Sequence, residues 1–69
     1  MKLGNHLKRL RFDHDGMSQE ALAEAVGVTR QTIHSIEKGK FVPSALLALK
    51  IARFFRKNLE EIFFIIDEP

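Results

Sequence analysis

The chain has 69 residues, no cysteine, tryptophan or tyrosine, and a formal net charge of +2 from 11 basic and 9 acidic side chains. That length makes one domain, able to bury only ~60% of the surface its unfolded form exposes. The lack of cysteine excludes a disulfide framework, a thiolate metal site and a cysteine nucleophile. No apolar run reaches the ~18 residues of a membrane span, and MKLGNHLKRL lacks the apolar stretch of a signal peptide. The expectation is a cytoplasmic (nucleoid-associated) protein with no membrane partner. An enclosed substrate cavity is hard to fit in so few residues, so a small binding module is expected rather than an enzyme.

Short marks punctuate the chain at Gly4-Asn5, Asp15-Gly16, Gly27-Val28-Thr29, Gly39 through Pro43-Ser44, and Asn58. Between them lie segments of helical length, which predicts five helices. The first covers about 5–14 with Asn5 as N-cap and Leu7 and Leu10 inward. The second covers about 18–26, capped by Ser18, with Leu22, Ala23 and Val26 inward. The third covers about 29–38, capped by Thr29 and ended by Gly39, with Ile33 and Ile36 inward. The fourth runs from near Ser44 to about Arg56. Its Leu46, Leu47, Leu49, Ile51, Ala52, Phe54 and Phe55 nearly encircle it, which predicts the central, most buried helix. The fifth starts at Asn58, where Asn58-Leu59-Glu60-Glu61 has capping-box spacing.

Ile62-Phe63-Phe64-Ile65-Ile66 then forms a run of large apolar residues. As a strand it would send Phe63 and Ile65 to one side and Phe64 and Ile66 to the other. Met1-Lys2-Leu3 would be its antiparallel partner. A chain this small has little mass to cover both faces, so one face would pack on the domain and the other meet a second copy. A longer fifth helix is the other reading of these residues. Under the strand reading residues 59–67 form a dimerisation tail, with Phe63, Phe64, Ile65 and Ile66 at the interface.

The most informative stretch is residues 18–38, two short amphipathic helices joined by a tight turn, the form of a helix-turn-helix. Gly27 permits the sharp reversal, Ala23 is small where the helices cross, and Leu22, Val26, Ile33 and Ile36 make the seam. An ordinary helical hairpin would share that spacing, but the outer face of the third helix is polar and free of acids. It carries Thr29, Arg30, Gln31, Thr32, His34 and Ser35. Arg suits guanine, Gln suits adenine and a Thr methyl suits thymine in the major groove. Arg30 and Gln31, near the helix N-terminus, are the leading base readers. Gln19, Thr29 and Thr32 could bond phosphates at the helix N-termini, and Lys38 and Lys40 add charge. The charge distribution fits: residues 41–69 carry four bases and four acids, whereas residues 1–40 carry seven bases and five acids.

The sequence resembles the small, single-domain Cro/repressor-type (xenobiotic-response-element-like) helix-turn-helix regulators. The matching residues are Ser18-Gln19-Glu20-x-Leu22-Ala23, Gly27 through Ile33, Ile36-Glu37-x-Gly39-Lys40, Pro43-Ser44, Ala48 through Ala52, and Glu60 through Phe63. The resemblance covers about residues 5–63. It implies an all-α, five-helix lambda-repressor-like domain that binds double-stranded operator DNA as a two-fold homodimer on a pseudo-palindrome. It places Gln19 at a phosphate-contacting position and Arg30, Gln31 and Ser35 at base-reading positions, with His34 nearer the groove wall. Family members carry an arginine four residues before the position of Gly16, paired with the glutamate at Glu37. Here Arg11 lies five residues before Gly16, a one-residue insertion. An Arg11–Glu37 pair is expected with the extra residue absorbed in the loop, the alternative being a solvated Glu37.

His6, His14 and His34 share no metal-ligand spacing, and Asp13 and Asp15 fall short of a calcium loop. No catalytic site, metal, cofactor or small-molecule effector is expected. The functional expectation is a transcriptional regulator, most often a repressor occupying a promoter. The alternative is a DNA-binding antitoxin that neutralises a partner toxin.

Overall fold

The computed structural model describes residues 1–67. Strand β1 (Lys2–Asn5) is followed by helices α1 (Leu7–Asp13), α2 (Gln19–Val26), α3 (Arg30–Glu37), α4 (Ala45–Phe55) and α5 (Leu59–Ile62), then strand β2 (Phe63–Ile66). Three helix starts follow from one local device. Ser18, Thr29 and Ser44 each hold extended backbone while their hydroxyls accept from the amides of Ala21, Thr32 and Leu47. At α5 the Glu61 carboxylate accepts from the Asn58 N–H at 2.7 Å, the return half of a capping box.

Helix ends are equally local. After α2, Gly27 takes φ 76°, the Val28 amide donates to the Ala23 carbonyl at 2.9 Å, and the Gly27 amide donates to Glu24 at 3.4 Å. The same pair of bonds closes α4, from Lys57 to Ala52 and from Arg56 to Arg53. There the left-handed residue is Arg56, at φ 55°. The loop between α1 and α2 contains two consecutive left-handed residues, Asp15 and Gly16.

The core is formed by Leu7, Leu22, Ala23, Val26, Ile33, Ile36, Leu47, Ala48, Ile51, Ala52, Ile62 and Phe63. Helix α2 packs on both α3 and α4. Three expectations are corrected here. The first helix begins at Leu7, with His6 and not Asn5 at its N-cap, because residues 2–5 pair in the sheet, and Gly4 lies inside β1. Asn5 still serves the helix, its Oδ1 accepting from the Leu7 amide at 3.1 Å. Helix α4 is not buried all round. It buries Leu47, Ala48, Ile51 and Ala52, while Leu46 and Leu49 remain 66% and 57% exposed. An apolar belt wider than the neighbouring elements can cover leaves part of itself in water.

Residues 63–66 form a strand, not a longer helix. β2 pairs antiparallel with β1 in the register Lys2↔Ile66, Leu3↔Ile65, Gly4↔Phe64 and Asn5↔Phe63. On one face of this sheet the Phe64 ring lies across Gly4, where a Cβ would overlap its edge, and stacks at 4.6 Å from the His6 ring. Gly4 is therefore a close-approach glycine. Phe63 is only 7% exposed and belongs to the chain's own core.

Candidate nucleic-acid interface

Helices α2 and α3 are packed through Leu22, Ala23, Val26, Ile33 and Ile36, all nearly inaccessible to solvent. Gly27 provides the turn between them. With Ile33 and Ile36 directed inward, the 100° step of the helix sends Gln31 and Ser35 outward, Arg30 and His34 to one flank and Thr32 to the other. Arg30 and Gln31 are exposed, whereas Thr32, His34 and Ser35 are half-buried.

These side chains differ in what already engages them. Arg30 makes no hydrogen bond or ion pair among the described residues, and neither do the ammonium groups of Lys38 and Lys40. Gln31 makes one long contact, Nε2 to Ser35 Oγ at 3.4 Å. The Thr29 hydroxyl accepts from the Thr32 amide at 3.2 Å and lies 3.1 Å from the Thr32 hydroxyl. Thr29 and Thr32 therefore build the start of α3. Each hydroxyl retains acceptor capacity.

Gln19, at the start of α2, reaches α3. Its Nε2 donates to Glu37 Oε1 at 3.1 Å and stands 3.5 Å from His34 Nδ1. Glu37 is the centre of a half-buried network. Arg11 Nε and Nη2 donate to its two carboxylate oxygens at 2.7 and 2.9 Å, and Arg11 Nη1 donates to the Met17 carbonyl at 2.8 Å. The two side chains are 13% and 8% exposed. The expected Arg11–Glu37 pair is thus present, bidentate, and extended by Gln19. Burial alone would push the Glu37 carboxyl up. Hydrogen bonds from Arg11 and Gln19, with the charges of Arg11 and Lys8, outweigh it and hold the group below its ordinary value. The Glu37 hydrogen bond raises the Arg11 guanidinium further, against the opposing effect of burial. The network brings α1, α2 and the end of α3 into one fixed arrangement.

Reading the sequence placed Gln19 among groups facing outward and did not anticipate its bond to Glu37. It likewise missed the donor role of Asn5, whose Nδ2 bonds the Ile36 carbonyl at 3.0 Å across 31 residues. No local pattern signals either contact. Among the described residues no group of His, Asp and Glu could hold a metal ion, and no helix is long and apolar enough to cross a membrane.

Comparison with known proteins decides the family. Residues 7–62 match the helix-turn-helix family model HTH_3. The chain belongs to that family. It is a DNA-binding regulator of the Cro/C1 helix-turn-helix type, and its five helices and small antiparallel sheet fit the lambda-repressor-like fold. An uncharacterized HTH-type transcriptional regulator of Bacillus subtilis, YgzD, is 53% identical over 64 residues, covering 93% of this chain and 96% of its own. An uncharacterized HTH-type transcriptional regulator of Methanocaldococcus jannaschii is 52% identical with the same coverage. The control protein C.MunI of a Mycoplasma species is 34% identical over 68 residues, 99% of this regulator and 92% of that protein.

Proposed function

We propose that the protein is a sequence-specific repressor that occupies a pseudo-palindromic operator as a homodimer, with α3 of each copy in a major groove. Arg30, Gln31 and Ser35 read base edges, and His34 lies against the groove wall. Gln19, Thr29, Thr32, Lys38 and Lys40 meet phosphates. The observation that carries this reading is the state of Arg30. A guanidinium with five donors and no partner among the described residues stands at the N-terminal end of a helix whose outer face is polar and free of acids. Such a group suits the paired acceptors of guanine in the major groove. Gln19 can serve a phosphate by turning the amide hydrogen that faces His34 Nδ1 at 3.5 Å, while Glu37 holds the other.

The homodimer rests on surface that one copy leaves uncovered. Ile65 is 63% exposed and adjoins Met1, Phe41 and Val42 around a groove of about 420 Å³ beside the end of α3. Phe64 and Ile66 are partly exposed on the sheet's other face. Residues 59–67 serve as the dimerisation tail through these three side chains, with Phe63 contributing from below as core. A two-fold pair would set two recognition helices roughly 34 Å apart, one turn of DNA. Nothing in the fold or in these relatives favours the antitoxin alternative.

Selection of bound duplexes from a random pool tests the function. The expected outcome is a two-fold symmetric consensus whose affinity falls steeply with salt. A pool that emerges without a consensus would defeat the sequence-specific reading. Ile65→Glu tests the dimer, since its side chain is exposed and its loss leaves the core intact. Sedimentation should show monomers at concentrations where the wild type is dimeric, and an unchanged mass would remove the tail from the interface.

A further inference from the structure

We infer that Asn5 is a positioning residue for the recognition helix, setting its pitch in the groove and hence the regulator's discrimination between operator and other DNA. This rests on the reading of α3 as the helix that enters the groove.

Asn5 is the last residue of β1 and half-buried. Its backbone is opposite Phe63 of β2, its Oδ1 accepts from the first amide of α1, and its Nδ2 donates to the carbonyl of Ile36 in the last turn of α3. One side chain thus ties the sheet and α1 to the main chain of α3. The Ile36 carbonyl also accepts from the Gly39 amide at 3.0 Å, so both of its lone-pair directions are occupied. Arg11 and Gln19 hold the same end of α3, but through the longer and more flexible side chain of Glu37.

Asn5 restrains α3 directly at its main chain, where Arg11 and Gln19 restrain it through a side chain. Ile33 and Ile36 fix its distance from the core, but apolar contact is non-directional and permits small sliding and rotation. A hydrogen bond weakens steeply when its angle opens, so it fixes position along the axis as well. Arg30 lies six residues from Ile36, a lever of about 9 Å at 1.5 Å per residue. A small tilt at the Asn5 end displaces the guanidinium where base readout needs hydrogen-bond accuracy. Phosphate attraction tolerates that displacement because it decays slowly with distance. Loss of the bond therefore lowers specific binding selectively.

Asn5→Asp separates the residue's two roles. Aspartate still accepts from the Leu7 amide, but its carboxylate cannot donate to Ile36. Asn5→Ala removes both bonds without adding charge. Wild type and both variants are titrated with the selected operator and with an unrelated duplex of equal length, over a salt series. The temperature is one at which circular dichroism shows all three fully folded. The expected result is an operator-to-unrelated affinity ratio about tenfold lower in both variants, with the salt slope on unrelated DNA unchanged. Because Asn5→Ala adds no charge, a drop shared by both variants is not a charge effect of Asp. Ratios equal to wild type in both variants would overturn the positioning role while leaving the DNA reading intact. A wild type that shows no preference for any duplex would sink both.

Discussion

Two ends of one helix treat arginine in opposite ways. Where α1 meets the last turn of α3, Arg11 has Nε, Nη1 and Nη2 all engaged within the chain. At the first turn of α3, Arg30 has no partner among the described residues. The seam at one end is closed and fully satisfied; the face at the other is open and unsatisfied. A count of bases cannot separate these roles. Only the surroundings show that one charge holds the scaffold together and the other is left for a ligand. Arg9, two positions before Arg11, marks a third condition. It pairs with Asp13 at 3.1 Å, but with both side chains more than half exposed, so the pair contributes little.

The contrast can be broken most severely at Arg11. Arg11→Ala leaves the half-buried Glu37 carboxylate with only Gln19, and should cost about 1.5–3 kcal/mol of stability in urea unfolding. That is a large fraction of a small domain's stability, so the unfolding midpoint should fall well below that of the wild type. A loss below about 1 kcal/mol would mean the seam is open to water after all. Arg30→Ala should do the reverse. Its unfolding midpoint stays with the wild type, while operator affinity falls by about 1–3 kcal/mol and selectivity relaxes at one base pair of each half-site. An unchanged selection profile would remove Arg30 from base reading.

The subtlest test is acid unfolding. Glu37 is held below its ordinary value of 4.5 in the folded chain. Between the two values the unfolded state binds more protons, so stability rises with pH there. The contribution is complete above about pH 4.5 and is lost as pH falls through the lower, folded value. Glu37→Gln should flatten this part of the acid limb. An identical slope in wild type and variant would show that the carboxylate gains nothing from the seam.

The comparison also shows what the sequence can reveal. Ser18, Thr29 and Ser44 act on amides three residues away, and Gly27 answers a local backbone demand, so the helix-turn-helix was legible almost to the residue. The polar, acid-free outer face of α3 was legible for the same reason. Contacts between distant segments were not. Nothing near Asn5 points to Ile36, nothing near Gly4 points to the Phe64 ring, and Gln19 carries no mark of its bond to Glu37. Arg56 takes a left-handed conformation that a search for glycine passes over. Helix α4 misled because apolar residues all round it do not say which of them find a neighbour, and Leu46 and Leu49 do not.

The pairing of residues 2–5 with residues 63–66 has a consequence for the order of folding. During synthesis α1, α2 and α3 emerge well before β2 exists, and their contacts are mostly local, so they can form early. The sheet closes a loop nearly as long as the chain, which carries the largest chain-entropy cost in the molecule. Until it closes, β1 has no partner strand, and the strand that carries Asn5 is not anchored. A product ending before residue 63 would hold a recognition helix with its outer face present and its far end without that anchor. The pairing of β2 with β1 thus completes the geometry of a helix that lies far earlier in the chain.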